Sequence, residues 1–207
     1  MLKHVVLSLL FLMTVLPSTA AQSSPVILVF GDSLSAAYGI PRELGWVNLL
    51  QQRLATQAYP HAVVNASVSG ETTSGGLSRI TAALETHQPA VVILELGAND
   101  GLRGLPTDDM RRNLAAIVTK CQQRKARVLL AGMLLPPNYG PVYARQFQQS
   151  FEDIARQYKL PTPPFLLEGI AGKAELTQED GLHPLAEAQP RILDNLWSTL
   201  KPLLNTR

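Results

Sequence analysis

The sequence predicts an α/β fold in which a parallel sheet is covered by helices on both faces. Three observations carry that reading. Short runs dense in Val, Ile and Leu recur along the chain without polar alternation, a pattern that suits strands buried on both sides. Longer amphipathic segments lie between them, and strand-helix alternation of this kind builds a parallel sheet through right-handed crossovers. The 207 residues are 46% hydrophobic, enough for one well-buried domain, and nothing points to a second.

The elements follow in order. A first strand, Val26–Phe30, runs into Gly31-Asp32-Ser33, and a helix near Gly45–Gln57 comes next. The second strand, Ala62–Ala66, leads through Ser69-Gly70-Glu71 to a helix near Ser74–Glu85. The third, Val91–Leu96, ends in Gly97-Ala98-Asn99-Asp100. The next helix, near Thr107–Arg124, sets Met110, Leu114, Ile117, Val118 and Cys121 on one face. A fourth strand, Val128–Met133, a helix near Val142–Tyr158 and a fifth strand, Phe165–Leu167, complete the alternation. The last helix runs from about Ala186 to Leu204. Its start is set by Pro190, tolerable only in a first turn, where amides have no helical partner. No internal repeat, low-complexity segment or linker interrupts the series.

Several function classes are excluded at this level. Residues 1–20 read as a secretory signal peptide, with Lys3, an apolar stretch from Val5 to Leu16 and small residues at Ser18-Thr19-Ala20. That stretch is shorter than the roughly 20 residues a bilayer span needs. Residues 21–207 then form a single domain, and export to the periplasm or the medium is expected. Cys121, the one cysteine, cannot form an internal disulfide, and its place on an apolar helix face reads as a core thiol. Eighteen Lys and Arg against 16 Asp and Glu leave a net charge of +2 with no basic run, so nucleic acid is not an expected partner. There is no H-E-x-x-H, and the histidines beyond the leader are scattered, so no metal is expected. The nucleotide signatures G-x-G-x-x-G and the P-loop are missing, as is the G-x-S-x-G of α/β-hydrolases, and no cofactor is expected.

Ligand sites in open α/β sheets form beyond the carboxyl ends of the strands. The loops there carry the residues that acyl transfer requires. Ser33 can attack a carbonyl carbon, but a hydroxyl needs a base within hydrogen-bond reach. His183 is the best base: His4 lies in the leader, His61 follows a Tyr-Pro turn and His87 sits before Pro89 at a helix end. A lone histidine is more often structural, yet Asp180, three residues earlier across Gly-Leu, can hold the imidazole in the accepting tautomer. Oxyanion donors are available from the Asn99 side chain and the backbone N–H groups of Ser33 and Gly70. Read alone, Asn99 is better taken as a turn residue capping its own loop, and Gly31, Gly70 and Gly97 suit any strand-to-loop corner. Asp32 and Asp100 read as loop-stabilising acceptors.

Taken together, these residues resemble the SGNH group of the GDSL hydrolase family. Its four blocks occur in order as Gly31-Asp32-Ser33-Leu34, Ser69-Gly70-Glu71-Thr72, Gly97-Ala98-Asn99-Asp100 and Asp180-Gly181-Leu182-His183. The resemblance implies a flavodoxin-like three-layer α/β/α fold with a five-stranded parallel sheet. It implies Ser33 as nucleophile, Asp180 and His183 as the rest of the triad, and Ser33, Gly70 and Asn99 as the oxyanion hole. Within the family the likeness is to periplasmic multifunctional acyl hydrolases, through Ser35-Ala36-Ala37-Tyr38-Gly39, Leu135-Pro136-Pro137-Asn138-Tyr139-Gly140 and the leader. The implied activity is hydrolysis of acyl esters and thioesters (aryl ester, acyl-CoA or lysophospholipid) through an acyl-enzyme, by a monomer acting on a small molecule.

Leu102, Leu105 and Pro136 are expected to contact the acyl group. The segment from Gly101 to Pro106 has two glycines that could hinge, and it is expected to move on binding; a plain strand-to-helix connection is the other reading. A carbohydrate O-acetyl esterase on the same fold is the alternative function, although 6% aromatic content favours lipidic or aryl groups over sugars. A non-catalytic exported binding protein is the reading from another class.

Overall fold

The computed structural model describes residues 24–162 and 164–205. The expected signal peptide, residues 1–20, lies outside the described residues. Four strands, β1 (Val26–Gly31), β2 (Ala62–Asn65), β3 (Val91–Glu95) and β4 (Arg127–Leu130), form one parallel sheet in the order β2-β1-β3-β4. The helices are α1 (Trp46–Thr56), α2 (Thr73–His87), α3 (Ala98–Leu102), α4 (Thr107–Gln123), α5 (Pro141–Tyr158) and α6 (Gln189–Leu204). α1 packs on α6, while α4 packs between α2 and α5; β1, β3 and β4 are covered as their composition requires, and β2, at the sheet edge, stays half-buried. Ile27 to Phe30 and Val91 to Leu94 are fully buried, and each such side chain stabilises the fold by roughly 1.5–3 kcal/mol over leaving it in water.

The expected fifth strand is corrected by the structure. Phe165 makes a single parallel bridge to Gly132, where a β4 partner would otherwise begin a ladder. Gly132 N–H donates to Pro164 O (2.8 Å) and Leu166 N–H to Gly132 O (3.1 Å), after which the chain turns away. Pro161 and Pro164 bring no amide donors to this stretch, and a ladder cannot propagate without them. Leu166 and Leu167 are buried all the same. The apolar run thus reports burial and not strand pairing. β4 also stops at Leu130, short of the expected Met133.

The helix ends follow local chemistry. Thr72 caps α2 by accepting from Gly75 N–H at 3.3 Å. Pro141 occupies the first turn of α5, and Pro190 that of α6, which is preceded by a 3-10 turn over Ala186–Ala188. Cys121 is fully buried with the other apolar residues of α4, and burial pushes its thiol up to about 12. It is inert at neutral pH.

One tertiary link bears directly on the loop after β1. Trp46, fully buried at the start of α1, donates its indole N–H to Leu34 O (3.1 Å) and its backbone N–H to Gln189 Oε1 of α6 (3.0 Å). The residue after Ser33 is therefore fastened to two helix N-termini.

Candidate active site

The strand order reverses between β1 and β3, because β2 lies on one side of β1 and β3 on the other. That topological switch opens a crevice at the carboxyl ends of the two strands. Ser33 follows β1 and Asn99 follows β3, so both stand at its rim. Ser33 Oγ lies 2.9 Å from His183 Nε2, and His183 Nδ1 lies 2.5 Å from Asp180 Oδ2. With Nδ1–H donated to Asp180, Nε2 is left to accept the Ser33 hydroxyl proton. Asp180 Oδ1 also accepts from the amides of Leu182 (2.9 Å) and His183 (3.0 Å), which folds the Gly-Leu turn around the carboxylate. Burial works to raise the Asp180 carboxyl, but the hydrogen bonds from the His183 ring and the two amides outweigh it and hold the group at about 2. It is an anion throughout the neutral range.

Asn99, expected in a plain loop, sits instead in the first turn of the five-residue helix α3. Gly97 makes that turn possible: its φ is +119°, and a Cβ would meet Phe151 Cζ at 3.0 Å and Met110 Sδ at 3.2 Å. The Asn99 amide donates to Asp32 Oδ2 at 2.9 Å, leaving its second N–H for an acceptor in the crevice. Gly70, at φ +78°, borders the same crevice, and Arg103 holds its loop by donating to Gly70 O at 2.9 Å. Asp32 and Asp100 act as the expected loop acceptors. Asp32 Oδ1 takes the Leu34 amide (3.0 Å), while Asp100 takes both the amide and hydroxyl of Thr73 at the head of α2 (2.8 and 2.5 Å).

Beneath Ser33 lies a carboxyl that sequence reasoning passed over. Glu95, the last residue of β3, is fully buried and pairs in register with Gly31. Its Oε2 accepts from the Ser35 hydroxyl (2.6 Å) and from the Asp32 amide (3.2 Å). A Cβ on Gly31 would strike that same carboxyl, which accounts for glycine at this corner. Burial first, then the nearby Asp32 charge, drives Glu95 well above its ordinary carboxyl value. Asp32, also buried, is pushed up by burial to about 6, with the Leu34 and Asn99 hydrogen bonds working against the rise. Asp32, the partner of Asn99, therefore carries a charge at pH 7. The signal for Glu95 in the sequence is one carboxylate closing an otherwise apolar run, Val91-Val92-Ile93-Leu94.

Ser33, Gly70, Asn99 and His183 border a cavity of about 630 Å³. Its wall is mainly apolar, with Leu102, Met133, Leu135, Pro136 and Phe165 among the lining side chains. Leu102 and Pro136, expected to contact the acyl group, are in this lining. Leu105 is not: it lies outside the lining, with 38% of its surface exposed, while its carbonyl accepts from Tyr143 OH at 2.6 Å. That bond to α5 holds the Leu105 backbone. The two-glycine hinge is also revised, because Gly101 is buried inside α3, where a Cβ would collide with Phe147 and Leu135. Only Gly104, at φ +65° with open space around it, keeps a hinge's freedom. Among the described residues, no group of three or more His, Cys, Asp or Glu is arranged to hold a metal ion.

Comparison with known proteins identifies relatives of this chain. The sequence model of the GDSL-like Lipase/Acylhydrolase family matches residues 29–189. The esterase TesA of Pseudomonas aeruginosa is 49% identical over 186 residues, covering 90% of this chain and 92% of its own length. Thioesterase 1/protease 1/lysophospholipase L1 of Escherichia coli is 38% identical over 195 residues, covering 94% and 92%. Among solved structures, the psychrotrophic esterase EstA from Pseudoalteromonas, inhibited by monoethylphosphonate, superposes with a TM-score of 0.83 at 45% identity, covering 87% of this chain and 99% of that one.

Proposed function

The chain belongs to the GDSL-like Lipase/Acylhydrolase family and is an ester hydrolase, and we propose that it cleaves acyl esters and thioesters through an acyl-enzyme on Ser33. His183 takes the Ser33 proton as the hydroxyl attacks the acyl carbonyl, and Asp180 holds the imidazole and balances its positive charge. The tetrahedral oxyanion is met by the Ser33 and Gly70 amides and by the N–H of Asn99 not engaged by Asp32. His183 then passes the proton to the leaving oxygen or sulfur, and water attacks the acyl-enzyme with the same base. The observation that carries this reading is the line Asp180–His183–Ser33, at 2.5 and 2.9 Å, ending at the mouth of an apolar cavity. A preorganised donor array of this kind supplies the largest part of such catalysis, each donor contributing about 10²–10³ in rate.

The apolar wall of Leu102, Met133, Leu135 and Phe165 supports a lipidic or aryl acyl group over a sugar. Arylesterase, acyl-CoA thioesterase and lysophospholipase activities all fit one site, since they share the acyl half and differ in the leaving group. We further read residues 1–20 as a leader for export and 21–207 as one catalytic domain that works as a monomer, with no metal or cofactor in the chemistry. The test is a serine-directed phosphonate with peptide mapping, alongside Ser33→Ala. Labelling at Ser33 and a folded Ser33→Ala protein without ester hydrolysis are the expected results. Activity retained in that variant overturns the assignment.

A further inference from the structure

We propose that Gln178 is a positioning residue which, together with Tyr38, brackets His183 against Ser33. The proposal rests on the reading of Ser33 and His183 as nucleophile and base. The two catalytic loops are far apart in sequence, and the residue pairs joining them are few. Gln178 is one of the links. Its side-chain amide donates to Tyr38 O (2.8 Å) and to Pro184 O (3.3 Å), reaching both loops at once. Its backbone N–H donates to His183 O (2.7 Å), and its carbonyl accepts from Gly181 N–H (2.9 Å), which closes the turn carrying Asp180 and His183. On the other side, Tyr38 N–H donates to Ser33 O at 3.2 Å. A continuous path therefore runs from the Ser33 carbonyl through the Tyr38 peptide and the Gln178 carboxamide to the His183 carbonyl.

The Tyr38 side chain completes the bracket. Its ring lies against the His183 imidazole, with centroids 4.5 Å apart and planes at 40°. An aromatic face at that distance restrains the imidazole's tilt, and it attracts the positive charge that forms when the Ser33 proton is transferred. Over half of the Tyr38 surface is exposed, and its backbone is fixed beside His183 by the Gln178 bond to its carbonyl and by its own N–H on Ser33 O. Gly39, next in the chain, keeps the arrangement possible, because a Cβ at this φ of +74° would collide with the Gln178 carboxamide. The chemistry at position 178 calls for a neutral amide. Two carbonyl acceptors face it, and a carboxylate of the same shape would repel both.

The test uses Gln178→Ala and Gln178→Glu in the full-length protein with a short aryl ester, whose acyl part does not reach position 178. Misplacing a catalytic group by an ångström costs about 10²-fold. Both variants are expected to lower kcat by about that factor with KM unchanged, and to slow phosphonate labelling of Ser33 in parallel. Tyr38→Leu should lose rate in the same direction, and Tyr38→Phe, which keeps the ring, should recover most of it. Because both residues act on one imidazole, the Gln178→Ala and Tyr38→Leu losses should be less than additive in the double variant. Wild-type kcat in both Gln178 variants, with or without a lower Tm, overturns the proposal and leaves Gln178 as a plain loop contact. Failure of the wild-type protein to be labelled at Ser33 would instead overturn the functional reading, so the two failures are distinct.

Discussion

Replacing Glu95 tests whether a buried carboxyl underlies the nucleophile turn. In Glu95→Ala, the Asp32 amide and the Ser35 hydroxyl each lose their acceptor, and both groups are buried, at 0% and 2% exposure. Stranding a buried donor costs about 1–3 kcal/mol, so the pair should cost roughly 2–6 kcal/mol before any cavity is counted. For a domain of this size about 1 kcal/mol moves Tm by roughly 2–4 °C, which places the expected drop at about 5–20 °C. Glu95→Gln should behave differently. It keeps an oxygen for both donors but puts an amide NH2 where Glu95 Oε1 stands buried without a partner, so it should cost about 1–3 kcal/mol, less than Glu95→Ala. Urea and thermal unfolding of the three proteins at pH 7 measure the difference. If Glu95→Gln destabilises as much as Glu95→Ala, the oxygen shared by the Asp32 amide and the Ser35 hydroxyl is not what this carboxyl contributes to the fold.

Two further outcomes follow from the same geometry. Asp32 rises from 3.8 to about 6 on folding. A carboxyl raised in this way stabilises the fold below its unfolded value and loses that contribution as pH climbs through the folded one. Wild type should therefore lose roughly 2 kcal/mol relative to Asp32→Asn between pH 4 and pH 7, read by urea unfolding at the two pH values; a constant difference would show that burial does not shift the group. In the cavity, Leu102→Trp should shift the preference among acyl esters toward shorter chains by filling the apolar wall, whereas Leu105→Ala, outside the lining, should not. A shift with Leu105→Ala, measured as kcat/KM across a chain-length series, would return that residue to the acyl path.

The helices were legible because their periodicities are local. The face carrying Met110, Leu114, Ile117, Val118 and Cys121 is the buried face of α4. Pro190 marked the start of α6 for an equally local reason, its missing N–H. The fifth strand misled because an apolar run records burial, and Phe165–Leu167 is buried without pairing beyond one bridge. α3 was missed because Ala98–Leu102 is too short for a period to register. Glu95 was missed because a single carboxylate at the end of an apolar strand has no local partner. Its ligands arrive from Asp32 and Ser35, some sixty residues away in the chain.

By itself, then, the sequence determined which side chains stand at the ends of strands: Ser33, Gly70 and Asn99 at the sheet edge, and Asp180 and His183 in one tight turn. Local propensity and burial are enough for that, since each depends on neighbours a few positions away. Tertiary structure alone decided the distances and partners. It brought His183 Nε2 to 2.9 Å from Ser33 Oγ, turned Asn99 onto Asp32, and put Gln178 between two loops. It also placed Leu102, and not Leu105, in the cavity wall. Those outcomes depend on how the crossovers pack around the β1–β3 switch, which is a property of the whole core and of no segment in isolation.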